Sequence, residues 1–206
     1  KLQTLVKIRH ESRKTMRAPL VFLLAAMTLS GCLAPETISS EKRYGVISDT
    51  LDRSEDGSSV YDIRENLSEG PVLVMFSHHS CPGCHNWMDE LKPIHDEWMS
   101  SSVPLQTMMI GTYPPYDDHE SLMEEFGNTS SDNYAPWPVV VTTTTTNAWD
   151  LADDKDSGIT VFDAFDNPSS PKLFLISQSG TVVWESDSYN PKEDSISDIN
   201  EIYREL

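Results

Sequence analysis

Cysteine is scarce in this chain, basic residues are far outnumbered by acidic ones, and no apolar run is long enough to cross a bilayer. Three cysteines occur in 206 residues: Cys32, Cys81 and Cys84. Only 15 Lys and Arg stand against 33 Asp and Glu, a formal net charge of −18. Six of the basic residues but only one acidic residue fall within residues 1–31. The rest of the chain therefore holds nine basic against 32 acidic residues, net −23. A surface of that sign repels nucleic acid and anionic membrane and favours solubility, which argues against nucleic-acid binding. The apolar stretch at residues 18–29 falls short of the ~20 apolar residues that a spanning helix needs. There is no internal repeat, and Thr142 to Thr146 is the one low-complexity run.

What is present begins with Cys81-Pro82-Gly83-Cys84. It closely follows Pro71-Val72-Leu73-Val74-Met75-Phe76, an apolar, β-branched run bounded by Gly70-Pro71 that reads as a buried strand. A helical pattern follows. Two cysteines separated by two residues at a strand-to-helix junction suit thiol–disulfide exchange. In the first turn of a helix, positions i and i+3 share a face, so the sulfurs can meet. The free N–H groups and positive end of that helix stabilise a thiolate.

The N-terminal region reads as a targeting segment. Basic residues up to Arg17 precede the apolar run 18–29, and Leu29-Ser30-Gly31-Cys32 resembles the lipobox of bacterial-type lipoproteins. That resemblance implies cleavage before Cys32 and lipid on its sulfur. The alternative is ordinary cleavage that removes Cys32 with the signal. Met16-Arg17 directly before the apolar run makes a compact signal, so residues 1–15 are expected to lie upstream of it. With Cys32 lipidated, Cys81 and Cys84 have only each other as partners, in an exported protein where disulfides persist. The expected organisation is a signal segment at 1–31, a Pro/Ser/Thr/Glu tether at 32–43 and one domain at 44–206. The expected location is outside the cytoplasm, anchored to the membrane through lipid on Cys32.

The domain reads as mixed α/β. A short strand or hairpin is expected over 44–61, a helical turn at 62–67, a strand at 72–76 and a helix at 82–100. In that helix Trp87, Leu91, Ile94 and Trp98 share a face, and Pro93 is expected to kink it. A strand follows at 105–110, a helix at 117–126 stopped by Gly127, and a strand at 139–144 into which the threonine run extends. Residues 172–176 and 181–184 read as a hairpin turning at Ser177-Gln178-Ser179-Gly180, before a closing helix at 196–206. Strands alternating with helices, then a hairpin and a last helix, give a mixed central sheet in an α/β sandwich.

The pattern resembles the thioredoxin superfamily, and within it the exported redoxin or TlpA-like branch. Four stretches carry the resemblance: Gly57-Ser58-Ser59-Val60-Tyr61-Asp62-Ile63, the strand leading to Cys81-Pro82-Gly83-Cys84, the extra helix and strand between 117 and 144, and Ser170-Pro171-Lys172-Leu173-Phe174-Leu175-Ile176 followed by Gly180-Thr181-Val182-Val183. The resemblance implies a thioredoxin-like three-layer sandwich and thiol–disulfide oxidoreductase activity without a cofactor or metal. Its partners would be protein thiols and disulfides and an upstream redox protein. It makes Cys81 the exposed nucleophile and Cys84 the resolving thiol. It makes Pro171 a cis-proline facing the dithiol and gives Ser170 a backbone contact to bound peptide. The chain departs from the family at Ser80, where a Trp often stands, and at Met75, where thioredoxins carry a buried Asp. Its dipeptide is Pro-Gly, the reverse of thioredoxin's Gly-Pro. Loss of the Asp charge and the Pro82 position imply a dithiol more oxidising than thioredoxin.

The same residues carry other readings. Cys81-x-x-Cys84-His85 matches c-type haem attachment, but the haem reading leaves the late proline and hairpin unexplained. His78, His79, Cys81, Cys84 and His85 form a possible soft site for zinc or copper, which would make the chain a metal carrier of thioredoxin-like fold. Side-chain alternation at a strand end would let only one of His78 and His79 face the thiols. A peroxiredoxin reading fails, because that family's Pro and Thr correspond to Val74 and His78. A purely structural disulfide closes too short a loop to contribute much stability.

Overall fold

The computed structural model describes residues 43–112 and 116–206. Cys32, the signal-like segment and the tether up to residue 42 lie outside these residues. Three short strands come first: β1 (Tyr44–Gly45), β2 (Ile47–Asp49) and β3 (Val60–Asp62). They are followed by α1 (Ile63–Glu69), β4 (Val72–Ser77), α2 (Pro82–Met99) and β5 (Gln106–Gly111). Next come α3 (His119–Leu122), which runs into a π turn at Met123–Gly127, then β6 (Val139–Val140), β7 (Asn147–Asp150) and β8 (Lys155–Thr160). The chain ends with α4 (Val161–Ala164), β9 (Lys172–Ile176), β10 (Val182–Glu185) and α5 (Ser195–Arg204).

The central sheet has the order β10-β9-β4-β5-β6. Strands β4, β5 and β6 run parallel, and β9 and β10 run antiparallel to their neighbours. Strand β4 is apolar at nearly every position because both of its faces are covered. Alternation then divides its side chains between two cores. Leu73 and Met75 join Trp87, Met88 and Leu91 of α2 and Ile199 of α5 on one face. Val72, Val74 and Phe76 join Ile63 and Leu67 of α1 and Val161 of α4 on the other. The result is a helix–sheet–helix sandwich in three layers. Each fully buried large side chain contributes roughly 1.5–3 kcal/mol of hydrophobic stabilisation. The expected three-layer α/β architecture with a mixed central sheet is therefore what this domain has.

Helix α2 runs from Pro82 to Met99 with Pro93 inside it. Several other local expectations need correction. The strand expected at 139–144 is only Val139–Val140. The threonines after it make their own hydrogen bonds instead of extending the ladder: Thr142 donates from Oγ1 to Gly111 O, and Thr146 Oγ1 accepts the Thr143 N–H. Short hydroxyl side chains compete with sheet ladders in this way. Strands β7 and β8 pair with β1 in a separate three-stranded sheet. The Asp-rich sequence there hides them, and β8 buries none of its side chains fully.

Arg53 holds the connection between α3 and β6. Its guanidinium donates to Phe126 O (2.9 Å), Ala135 O (3.0 Å) and Trp137 O (2.8 Å), and pairs with Asp56 at 2.7 Å. Asp56 in turn accepts the Val139 N–H at 3.0 Å. This fork of donors fits several carbonyls at once, which a point-charge lysine cannot do.

Candidate active site

Register brings the site together. Antiparallel pairing sets Phe76 of β4 opposite Lys172 of β9, so the residues before Lys172 lie beside the end of β4. Beyond that end the chain turns through residues 78–80 and enters α2. Cys81 is the N-cap of α2, with Pro82 at the first helical position. Proline suits that position because it has no N–H to leave unpaired. The Cys81 sulfur accepts the Cys84 N–H at 3.2 Å, as a capping oxygen would. Its neighbour across the turn is Cys84, with Cα atoms 5.2 Å apart and the two sulfurs paired as a disulfide. That separation lies in the range a disulfide bridges.

Ser170–Pro171 is a cis peptide. Ser170 Oγ lies 3.1 Å from the Cys84 sulfur. The resemblance implied only a backbone role for Ser170; its side chain reaches the inner sulfur as well. Met75 belongs to the buried cluster that also holds Cys81 and Cys84, so an apolar side chain stands where thioredoxins carry the Asp. Cys84 is wholly buried. Cys81 is only 5 % exposed, which corrects the expectation of an open nucleophile. Tyr189, in the loop between β10 and α5, lies beside it. Its hydroxyl lies 3.9 Å from the Cys81 sulfur and accepts the Gly83 N–H at 3.1 Å. Gly83 has to be glycine here, because a Cβ at that position would come within 2.6 Å of the Tyr189 ring. A cavity of about 200 Å³ opens beside this point, lined by Pro171, Lys172, Asp187, Ser188 and Tyr189 among others.

The histidines arrange themselves differently from the strand-end expectation. Strand β4 stops at Ser77, so strict alternation does not govern the next two residues. Both rings turn to one buried carboxylate: His78 Nδ1 lies 2.8 Å and His79 Nδ1 2.7 Å from Asp117 Oδ1. The same oxygen accepts the His79 N–H, and Oδ2 accepts the Thr112 N–H. A carboxylate has no proton to give, so hydrogen bonds to it fix Nδ1–H on the two imidazoles. Asp117 read in the sequence as a helix-start residue. That duty falls to Asp118, whose carboxyl is held below its ordinary pKa by the Ser121 N–H. His78, His79 and Asp117 are the group of residues whose ligand-type atoms converge within 4.8 Å among the described residues. Neither cysteine nor His85 belongs to that group. The hydrogen bonds just described satisfy the buried charge of Asp117. His85 points elsewhere, its Nε2 3.2 Å from His79 O and 3.1 Å from Glu125 Oε1.

Of the residues singled out in the sequence, Cys81, Cys84, Ser170 and Pro171 meet in one place, and Cys32 lies outside the described residues. Asp117 and Tyr189 were missed. For Tyr189 the one available signal was an aromatic residue standing in the polar stretch Ser186-Asp187-Ser188-Tyr189-Asn190.

No protein-family profile and no curated protein matches the chain. Solved structures do. The thioredoxin domain of a thiol-disulfide oxidoreductase from Bacteroides vulgatus superposes with a TM-score of 0.52 at 15% identity, covering 77% of this chain and 92% of that one. Yeast Sco1 gives 0.53 at 15% identity, covering 80% and 96%. An exposed lipoprotein thioredoxin from Streptococcus pneumoniae gives 0.52 at 15% identity, covering 78% and 98%. Together with the sheet order and the dithiol at the start of α2, these likenesses show that the chain has the thioredoxin-like fold.

Proposed function

We propose that this protein is an extracytoplasmic thiol–disulfide oxidoreductase acting on protein disulfides through Cys81 and Cys84. The observation that carries the reading is the pairing of these two cysteines at the N-terminus of α2, against Ser170 and Pro171. In the reducing direction the Cys81 thiolate attacks a partner disulfide. One Cys81–partner S–S bond forms, the partner's S–S bond breaks, and the leaving partner thiolate takes up a proton. Cys84, deprotonated, then attacks the Cys81 sulfur and releases the second partner thiolate. Two electrons pass to the partner, and the chain is left as the Cys81–Cys84 disulfide. The oxidising direction is the same sequence reversed. The Cys84 N–H and the positive end of α2 stabilise the Cys81 thiolate. Ser170 Oγ is placed to exchange a hydrogen bond with the Cys84 sulfur as it changes charge. The remaining roles follow the resemblance: Pro171 shapes the surface that the partner's chain lies against, with the Ser170 backbone as its hydrogen-bonding edge.

Equilibration with glutathione buffers tests both the activity and its poise. With Met75 in place of a buried carboxylate and Pro82 next to Cys81, the dithiol is expected above thioredoxin's ~−270 mV, between about −200 and −120 mV. A value at or below thioredoxin's would make the protein a dedicated reductase. A pair that does not exchange with glutathione at all would remove the oxidoreductase reading.

Location follows from Leu29-Ser30-Gly31-Cys32 and the apolar run before it. Among the described residues no helix is long and apolar enough to cross a membrane. Attachment then rests on acyl chains at Cys32, where more than one chain is needed for stable anchoring. Cys32→Ser should move the protein from the membrane fraction to the soluble fraction in a fractionated, exporting cell. Wild-type protein that is exported and fully soluble would contradict the anchor.

A further inference from the structure

Tyr189 brings a ring and a hydroxyl to the reacting cysteine, and nothing in the dithiol motif requires it. Three contacts hold it there. Its hydroxyl oxygen accepts the Gly83 N–H, one of the unpaired donors at the start of α2. Its ring lies where Gly83 leaves space for want of a side chain. The next residue, Asn190, accepts a hydrogen bond from Asn86 of α2 at 2.8 Å, clamping the loop to the helix. With the oxygen occupied by Gly83, the phenolic proton is the group left to point at the Cys81 sulfur, 3.9 Å away.

We infer that Tyr189 is a catalytic residue of this dithiol, its hydroxyl donating a hydrogen bond to the Cys81 sulfur and stabilising the thiolate form. The inference rests on the proposed oxidoreductase reading and deepens it. A disulfide sulfur is a weak acceptor and a thiolate a strong one, so the bond gains strength on reduction. The Gly83 N–H polarises the phenol, which passes the positive end of α2 on to the sulfur. Stabilising the reduced thiolate makes a dithiol more oxidising.

The decisive variant is Tyr189→Phe, which keeps the ring and removes the donor. The other ionisable groups of the neighbouring elements are the same in both proteins: Cys84 itself, His78 and His79 with Asp117, His85 with Glu125, Lys172 with Glu185, and Asp187 with Lys192. The difference between the two proteins therefore reports the hydroxyl. Ultraviolet absorbance of the thiolate, followed against pH in the reduced proteins, should rise at higher pH in Tyr189→Phe. Alkylation of Cys81 by iodoacetamide at neutral pH should slow, and the equilibrium with glutathione should move toward the intramolecular disulfide, each about threefold or more. That is near the low end for the net contribution of a hydrogen bond in a protein. A fluorinated tyrosine at position 189, incorporated by codon suppression, is nearly isosteric and a stronger donor, and should shift all three the opposite way. A folded Tyr189→Phe protein with wild-type titration and equilibrium would overturn the inference, as would a fluorinated protein that shifts nothing. If instead the wild-type pair fails to exchange with glutathione, the oxidoreductase reading falls, and the thiolate titration still decides whether the hydroxyl acts on Cys81.

Discussion

Cys84→Ser should accumulate mixed disulfides with partner proteins through Cys81, and Cys81→Ser should accumulate at least about tenfold less, since attack requires both access and thiolate character. The asymmetry follows from the start of α2. Cys81 stands at the N-cap, where the Cys84 N–H and the helix end favour its thiolate. Cys84 has no exposed surface and lies beneath Cys81 and Ser170. When Cys84 is serine, the first exchange proceeds but nothing displaces the partner. When Cys81 is serine, the remaining thiol cannot reach a partner disulfide. Non-reducing electrophoresis of alkylated cell extracts measures this directly. Equal trapping by the two variants would reverse the roles or remove them.

Arg53→Ala should cost about 3–5 kcal/mol of stability, the range for breaking a buried ion pair by removing one partner. The Asp56 side chain is fully buried and Arg53 is only 7% exposed. Truncating Arg53 leaves that carboxylate without its cation and removes the guanidinium donors to Phe126 O, Ala135 O and Trp137 O, of which Phe126 O keeps the Ala135 N–H. For a domain of this size a loss of that order lowers Tm by about 6–20 °C, at roughly 2–4 °C per kcal/mol. Arg53→Lys should recover only part of it, because one ammonium cannot serve the carboxylate and three carbonyls together. Calorimetry of the oxidised proteins checks both. An Arg53→Ala protein within 1 kcal/mol of wild type would show that water replaces the network freely.

Most of the layering was legible in the residues. A continuous apolar run bounded by Gly70-Pro71 marks β4, since a strand covered on both faces has few polar positions. Trp87, Leu91 and Trp98 at helical spacing mark the buried face of α2. The hairpin of β9 and β10 showed itself through Ser-Gly at its turn, where Gly180 takes a positive φ of 84°. Strands β7 and β8 did not, because partly exposed, Asp-rich strands carry no periodic apolar signal. The role of Asp117 was hidden too, because a helix-start aspartate and a buried partner of two histidines are the same letter in the chain.

The sequence by itself determined the dithiol, the strand that precedes it, the helix that follows it and the late proline, because those are local patterns of polarity, spacing and turn chemistry. Which groups surround the sulfurs was decided only by tertiary structure. Ser170 lies 86 residues from Cys84 and Tyr189 108 residues from Cys81, and they arrive there because the register of β9 on β4 and the return of the chain after β10 set them down at the start of α2. Spacing along the chain carries no information about such meetings. They follow from how two cores are filled on the faces of one sheet, and that is settled only when the whole domain packs.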